Sequence, residues 1–134
     1  MPKEYVNPKT LFPSSPHGFS QAVVATGRKM VFISGQTAWD EEKNIVGANN
    51  MLEQARQALR NVKAAMEAAG GRLQDIVALR IYLVNYHLES AAAVGSALKE
   101  LFPSDSSPAS TWIVVSALAV PEFLIEIEAT AVLD

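Results

Sequence analysis

Apolar and polar residues alternate most cleanly near the C-terminal end of the chain. Over Leu124–Val132, Ile125, Ile127 and Ala129 fall on one side of an extended backbone, and Glu126, Glu128 and Thr130 on the other. A second β-branched run, Thr111–Ser116, precedes it across a turn holding Pro121 and Glu122, and the pair predicts a strand–loop–strand unit. Two carboxylates on one face of an apolar strand are ordinary if that face is wet. If it is covered, each needs a partner, because an unpaired buried charge costs roughly several kcal/mol.

The helical period is clearest from Leu52 to Ala69. Leu52, Ala55, Leu59, Val62, Met66 and Ala69 recur at spacings of three and four, with charged and amide residues filling the other side. Asn50 with Glu53 makes a capping start, and Gly70-Gly71 a stop. A second helix is expected from Leu88 to Phe102, with Ala91, Val94, Leu98 and Leu101 inward and Pro103 ending it. Between them, Ile76–Val84 is apolar on both faces apart from Arg80, the pattern of a central strand. Towards the N-terminus, Gln21–Thr26 and Met30–Gln36 read as a hairpin turning at Gly27-Arg28-Lys29. Gly35, inside the second of these strands, marks a bulge or a close backbone approach. Residues 1–20 hold four of the seven prolines and read as an edge segment and a loop.

The predicted order is β-β-α-β-α-β-β in a single α+β domain spanning residues 1–134. Right-handed crossovers put both helices on one face of a mixed sheet. With Val77, Leu79, Ile81 and Leu83 towards the helices, Ile76, Ala78, Tyr82 and Val84 are left on a bare face. A bare apolar sheet face predicts self-association.

Composition narrows the function classes. With 134 residues and 49% hydrophobic content, the chain suits one domain with a real core. No apolar run approaches the roughly 18 residues that span a bilayer, and the Met-Pro-Lys-Glu-Tyr start lacks a leader's apolar core. Cysteine is absent, which excludes disulfides and thiolate metal sites, and two histidines leave little for an imidazole site. A net charge of −3 without a basic cluster disfavours nucleic acid. The expectation is a cytoplasmic protein with no membrane or nucleic-acid partner, no metal and no cofactor.

Phe19-Ser20-Gln21-Ala22-Val23, Met30–Gln36 with its Ser-Gly-Gln ending, the helix over Gln54–Gly70, and Pro108–Ala131 with Ile-Glu-Ile-Glu-Ala together resemble the YjgF/RidA superfamily. The resemblance covers most of the chain. It implies a chorismate-mutase-like fold, a homotrimer with small-molecule clefts between subunits, and hydrolysis of reactive enamines and imines. It also implies a catalytic role for Glu126, which would position or activate water. Phe19, Ser34, Gly35, Ser110, Thr111 and Trp112 would bind substrate, with Arg80 and His17 as further site candidates.

The departures from the family pattern bear on that reading. Deaminating members carry an arginine directly after Pro-Ala that binds the substrate carboxylate, and here the position is Ser110. A hydroxyl does not replace a bidentate guanidinium. The family's loop tyrosine is Phe19, and Trp112 stands where smaller residues are usual. Plainer roles compete for each candidate: an ion pair with Arg80 for Glu126 or Glu128, a surface position for His17, packing for Trp112. Weak or absent activity on 2-aminoacrylate is expected. The alternative function is a metabolite-binding protein that does no chemistry. A ribonuclease role is disfavoured by the acidic chain without a basic groove.

Overall fold

A computed structural model describes residues 3–134; Met1 and Pro2, at the head of the proline-rich segment, lie outside the described residues. The strands are β1 (Lys3–Val6), β2 (Ala22–Ala25), β3 (Lys29–Gln36), β4 (Ile76–Leu83), β5 (Ala109–Val114) and β6 (Ile125–Leu133); the helices are α1 (Met51–Ala68) and α2 (Leu88–Leu101). The α+β order is the predicted one with β1 added. Helix α1 starts where the capping pattern puts it: the Asn50 side chain accepts from the Glu53 N–H at 3.0 Å. Among the described residues no helix is long and apolar enough to cross a membrane.

Four strands form one mixed sheet in the order β3-β6-β4-β5, with β4 and β5 parallel and the other pairs antiparallel. Strand β6 lies inside it, and its alternation is the predicted one. Ile125, Ile127, Ala129, Ala131 and Leu133 are buried, while the residues between them are half-buried. The inward set meets Leu59, Val62 and Met66 of α1 and Val94 and Leu98 of α2 in one core. Both helices therefore cover one face of the sheet, and the carboxylates look out from the other.

Two expectations are corrected. The hairpin of β2 with β3 does not form: β2 pairs with β1, and β3 pairs with β6. The reason is the sheet order. Ser20 bridges to Ala109 at the β5 edge, whereas Lys29 lies opposite Leu133 at the β3 edge. The chain must cross between opposite edges of the sheet, which a hairpin cannot do, so β1 and β2 form a separate two-stranded ribbon. Second, Ile76 and Val84 are buried, at 2% and 7% exposure, not on the bare face. A register shift at Val77 inserts one residue and turns Ile76 to the side of Leu79, Ile81 and Leu83. The outward residues of β4 are Ala78, Arg80 and Tyr82. The apolar part of the open face comes from its flanking strands, with Phe32 73% exposed, Met30 61%, and Ile113 also exposed.

Candidate functional site

On the open face, pairing register brings the polar residues into rows: Tyr82 lies opposite Glu126, and Arg80 between Glu128 and Thr111. The two carboxylates of β6 have different fates. Glu128 is committed: the Tyr82 hydroxyl donates to its Oε1, and Arg80 Nη1 lies 3.6 Å from the same oxygen. The hydrogen bond to Glu128, with some desolvation, pushes the Tyr82 phenol above its ordinary pKa. Among the described residues the Glu126 carboxylate makes no hydrogen bond or ion pair.

Glu126 opens into a cleft of about 590 Å³ that it shares with Gly35, Trp39, Asn61 and Phe123. Each wall has a local cause. The β3–β6 register slips by one residue between Ile33 and Gln36, the bulge that Gly35 announced. A side chain at Gly35 has no room, since its Cβ would stand 2.0 Å from Glu126 Oε2. The polar loop after β3 is fixed by Asp40, which accepts from the N–H groups of Asn44 at 2.8 Å and Glu42 at 2.9 Å. These bonds, that from Asn44 foremost, hold its carboxyl below the usual carboxylate range. Asn61 of α1 donates to the carbonyls of Thr37 (2.9 Å) and Trp39 (2.8 Å). On the far wall, buried Gln54 donates to the Glu122 carbonyl (3.0 Å) and accepts from the Leu124 N–H (2.8 Å), tying the β5–β6 loop to α1. Phe123 of that loop meets Trp39 edge-on at 5.1 Å.

A second cavity, of about 460 Å³, lies at the β5 edge. Trp112 shares the face of Ile81, towards α2, and its indole N–H donates to the Ser110 hydroxyl at 3.1 Å. Phe19 and His17 come to it from the loop before β2, with Phe12 edge-on to both, at 6.1 Å and 6.0 Å. The sequence-predicted residues thus fall into three groups. Phe19, His17 and Trp112 share this pocket, and Glu126 and Gly35 share the first cleft. Arg80, Ser110 and Thr111 line a groove of about 120 Å³ beside Glu128. Ser34 is exposed, its carbonyl accepting from the Gln36 side chain.

Residues 11–133 match the family model described as Endoribonuclease L-PSP. The chain belongs to that family. It also belongs to the wider YjgF/RidA superfamily, as its relatives show. A RutC family protein of Pyrococcus horikoshii is 35% identical over 113 residues, covering 84% of this chain and 85% of that protein. Among solved structures, the Rid-family protein YyfB of Yersinia pestis, of unknown function, superposes with a TM-score of 0.94 at 40% identity, covering 99% of this chain and all of that one. TdcF of E. coli, solved with bound serine, gives 0.69 at 30% identity, covering 87% of this chain and 88% of TdcF. Against the family pattern, the position after Pro-Ala is not an idle serine: its hydroxyl is held by Trp112. Sequence reasoning passed over Trp39, Asn61, Phe12, Tyr86 and Lys99, which line the two cavities. Of these only Trp39 carried a usable signal, an aromatic residue opening the acidic loop after the Ser-Gly-Gln strand.

Proposed function

We propose that this protein acts on small reactive enamines or imines in clefts between the subunits of a homotrimer, with Glu126 as the acid/base. The observation that carries the reading is the unequal use of two neighbouring carboxylates. Glu128 is bound by Tyr82 and Arg80, whereas Glu126 faces an open cleft without a partner among the described residues. In hydrolysis, water adds to the carbon of the C=N bond while Glu126 takes one of its protons and delivers it to nitrogen, giving a carbinolamine. The same carboxylate then carries the hydroxyl proton to nitrogen as the C–N bond breaks, so ammonia leaves and a carbonyl compound remains. The apolar open face of Phe32, Met30 and Ile113 supports assembly, which would bring a second copy's β5 edge to Glu126. The amino acid bound by TdcF supports a ligand of that size.

With Ser110 in place of arginine, the lost charge-assisted contact of roughly 2–5 kcal/mol predicts efficiency on 2-aminoacrylate thirty- to several-thousand-fold below that of arginine-bearing members. The test generates imines with an amino-acid oxidase and follows loss of their absorbance. Glu126→Gln is expected to cut turnover by about 10²–10⁴-fold while stability stays within about 1 kcal/mol. Equal loss in Glu126→Gln and Glu128→Gln would remove any special role for Glu126. A second reading, binding without chemistry, is favoured by the engagement of Ser110 with Trp112, and ligand binding with no turnover of any imine would select it.

A further inference from the structure

We infer that the pocket beside Trp112 selects ligands that join a planar aromatic ring to an anionic group, with Lys99 as the partner of that group. The inference rests on the reading of the β5 edge as one half of the ligand site and names what that half prefers. Its walls are the rings of Phe12, His17, Phe19, Tyr86 and Trp112. Opposite them, α2 presents Ala91, Ala92 and Gly95, with no side-chain atom beyond Cβ, so the space between helix and rings stays open. The loop carrying Phe19 is held against this helix at Gly18. Its φ of 90° suits glycine, and a Cβ there would meet Leu98 Cβ at 3.4 Å. At about 460 Å³ the cavity is of the size of small-molecule sites.

The lining decides the ligand class. Rings offer edge and face contacts to another ring and exclude water from it. They also suit organic cations, but a cation needs no ammonium nearby, and Lys99 lines this pocket while no Asp or Glu does. The chain as a whole carries net charge −3, so a cavity with a lysine and no carboxylate is not its average surface. A neutral ring would leave Lys99 unused, and a small aliphatic acid would leave the aromatic walls wet. Only an aromatic acid, such as a 2-keto or 2-imino acid with an aryl side chain, uses both.

Calorimetry on the full chain with 3-phenylpropanoate, propanoate, 3-phenylpropanamide and tetramethylammonium tests this. The aryl acid is expected to bind about ten-fold or more tightly than each of the other three. Lys99 is exposed, so Lys99→Met is expected to keep the fold, checked by its melting temperature. It should bring the acid down to the amide's affinity and leave the amide unchanged, while Trp112→Ala weakens both. Propanoate or tetramethylammonium matching the aryl acid, an acid-to-amide ratio that survives Lys99→Met, or no binding at millimolar concentration would each overturn the inference. These readouts involve no turnover. Failure to hydrolyse any imine would therefore count against the hydrolase reading alone, and turnover with no ring preference in binding against this one alone.

Discussion

The cleft at Glu126 and the pocket at Trp112 are similar in size but built from different materials. The first is framed by backbone carbonyls, side-chain amides and three acidic residues, Asp40 and Glu41 of the loop after β3 and Glu126 of β6, with an indole and a phenyl ring closing one wall. The second is framed almost wholly by rings and a helix stripped to small residues, with one ammonium group. Proton transfer needs a fixed carboxylate with ordered neighbours; recognition of a flat ligand needs area and few polar groups. On the proposed function, acid/base chemistry and selectivity would sit on different elements, and turnover would depend on bringing them together.

The most drastic way to test that division is to keep the two halves apart. Phe32→Asp puts a charge in the exposed apolar face, where burial against a second copy would cost roughly several kcal/mol. Light scattering should then report monomers, and imine turnover should vanish. A monomer that still turns over would show that one chain carries a whole site. Gly35→Ala comes next in size. Its Cβ would displace the Glu126 carboxylate, so turnover should fall about a hundred-fold while affinity for the aryl acid at the other pocket is unchanged. Loss of both together would mean that the two cavities are not separable.

Gln54→Ala removes the two hydrogen bonds that hold the far wall of the Glu126 cleft, leaving the Glu122 carbonyl and Leu124 N–H without them. Denaturant titration should show a loss of roughly 2–4 kcal/mol, and a change below about 0.5 kcal/mol would show that water replaces the amide readily. Smallest is Tyr82→Phe. The bonded phenol has its folded pKa raised above the unfolded value, so its contribution to stability is full below the unfolded phenol pKa and is lost as pH rises through the folded one. The stability difference between the two proteins should be constant near neutrality and shrink at alkaline pH. Burial raises the Tyr5 phenol as well, so in an alkaline absorbance titration the variant should keep one late-titrating tyrosine where the parent has two.

Local pattern carried much of this in advance. The α1 stripe with its Asn50 cap, the alternation of β6 and the bulge at Gly35 are written in short-range spacing, where each residue's neighbours decide its conformation. Partnership was harder to read. Two strands and a glycine turn spell a hairpin locally, but the chain crosses from the β5 edge at Ser20 to the β3 edge at Lys29, and β2 pairs with β1 in a separate ribbon on the way. The extra residue at Val77 left no trace, because β4 is apolar on both sides and either register looks the same. The family resemblance pointed to Phe19, Trp112 and Glu126. Lys99, on the polar side of a helix, and Phe12, in a proline-rich loop, join a cavity only once distant segments have packed, so spacing could not single them out.

The chain has two tryptophans, and the fold puts one in each cavity: Trp39 at the carboxylate cleft and Trp112 among the rings of the other. The protein therefore carries its own pair of optical probes. With either indole replaced by phenylalanine, the emission that remains belongs to a single cavity, so filling of the two sites can be followed separately and in real time without a label.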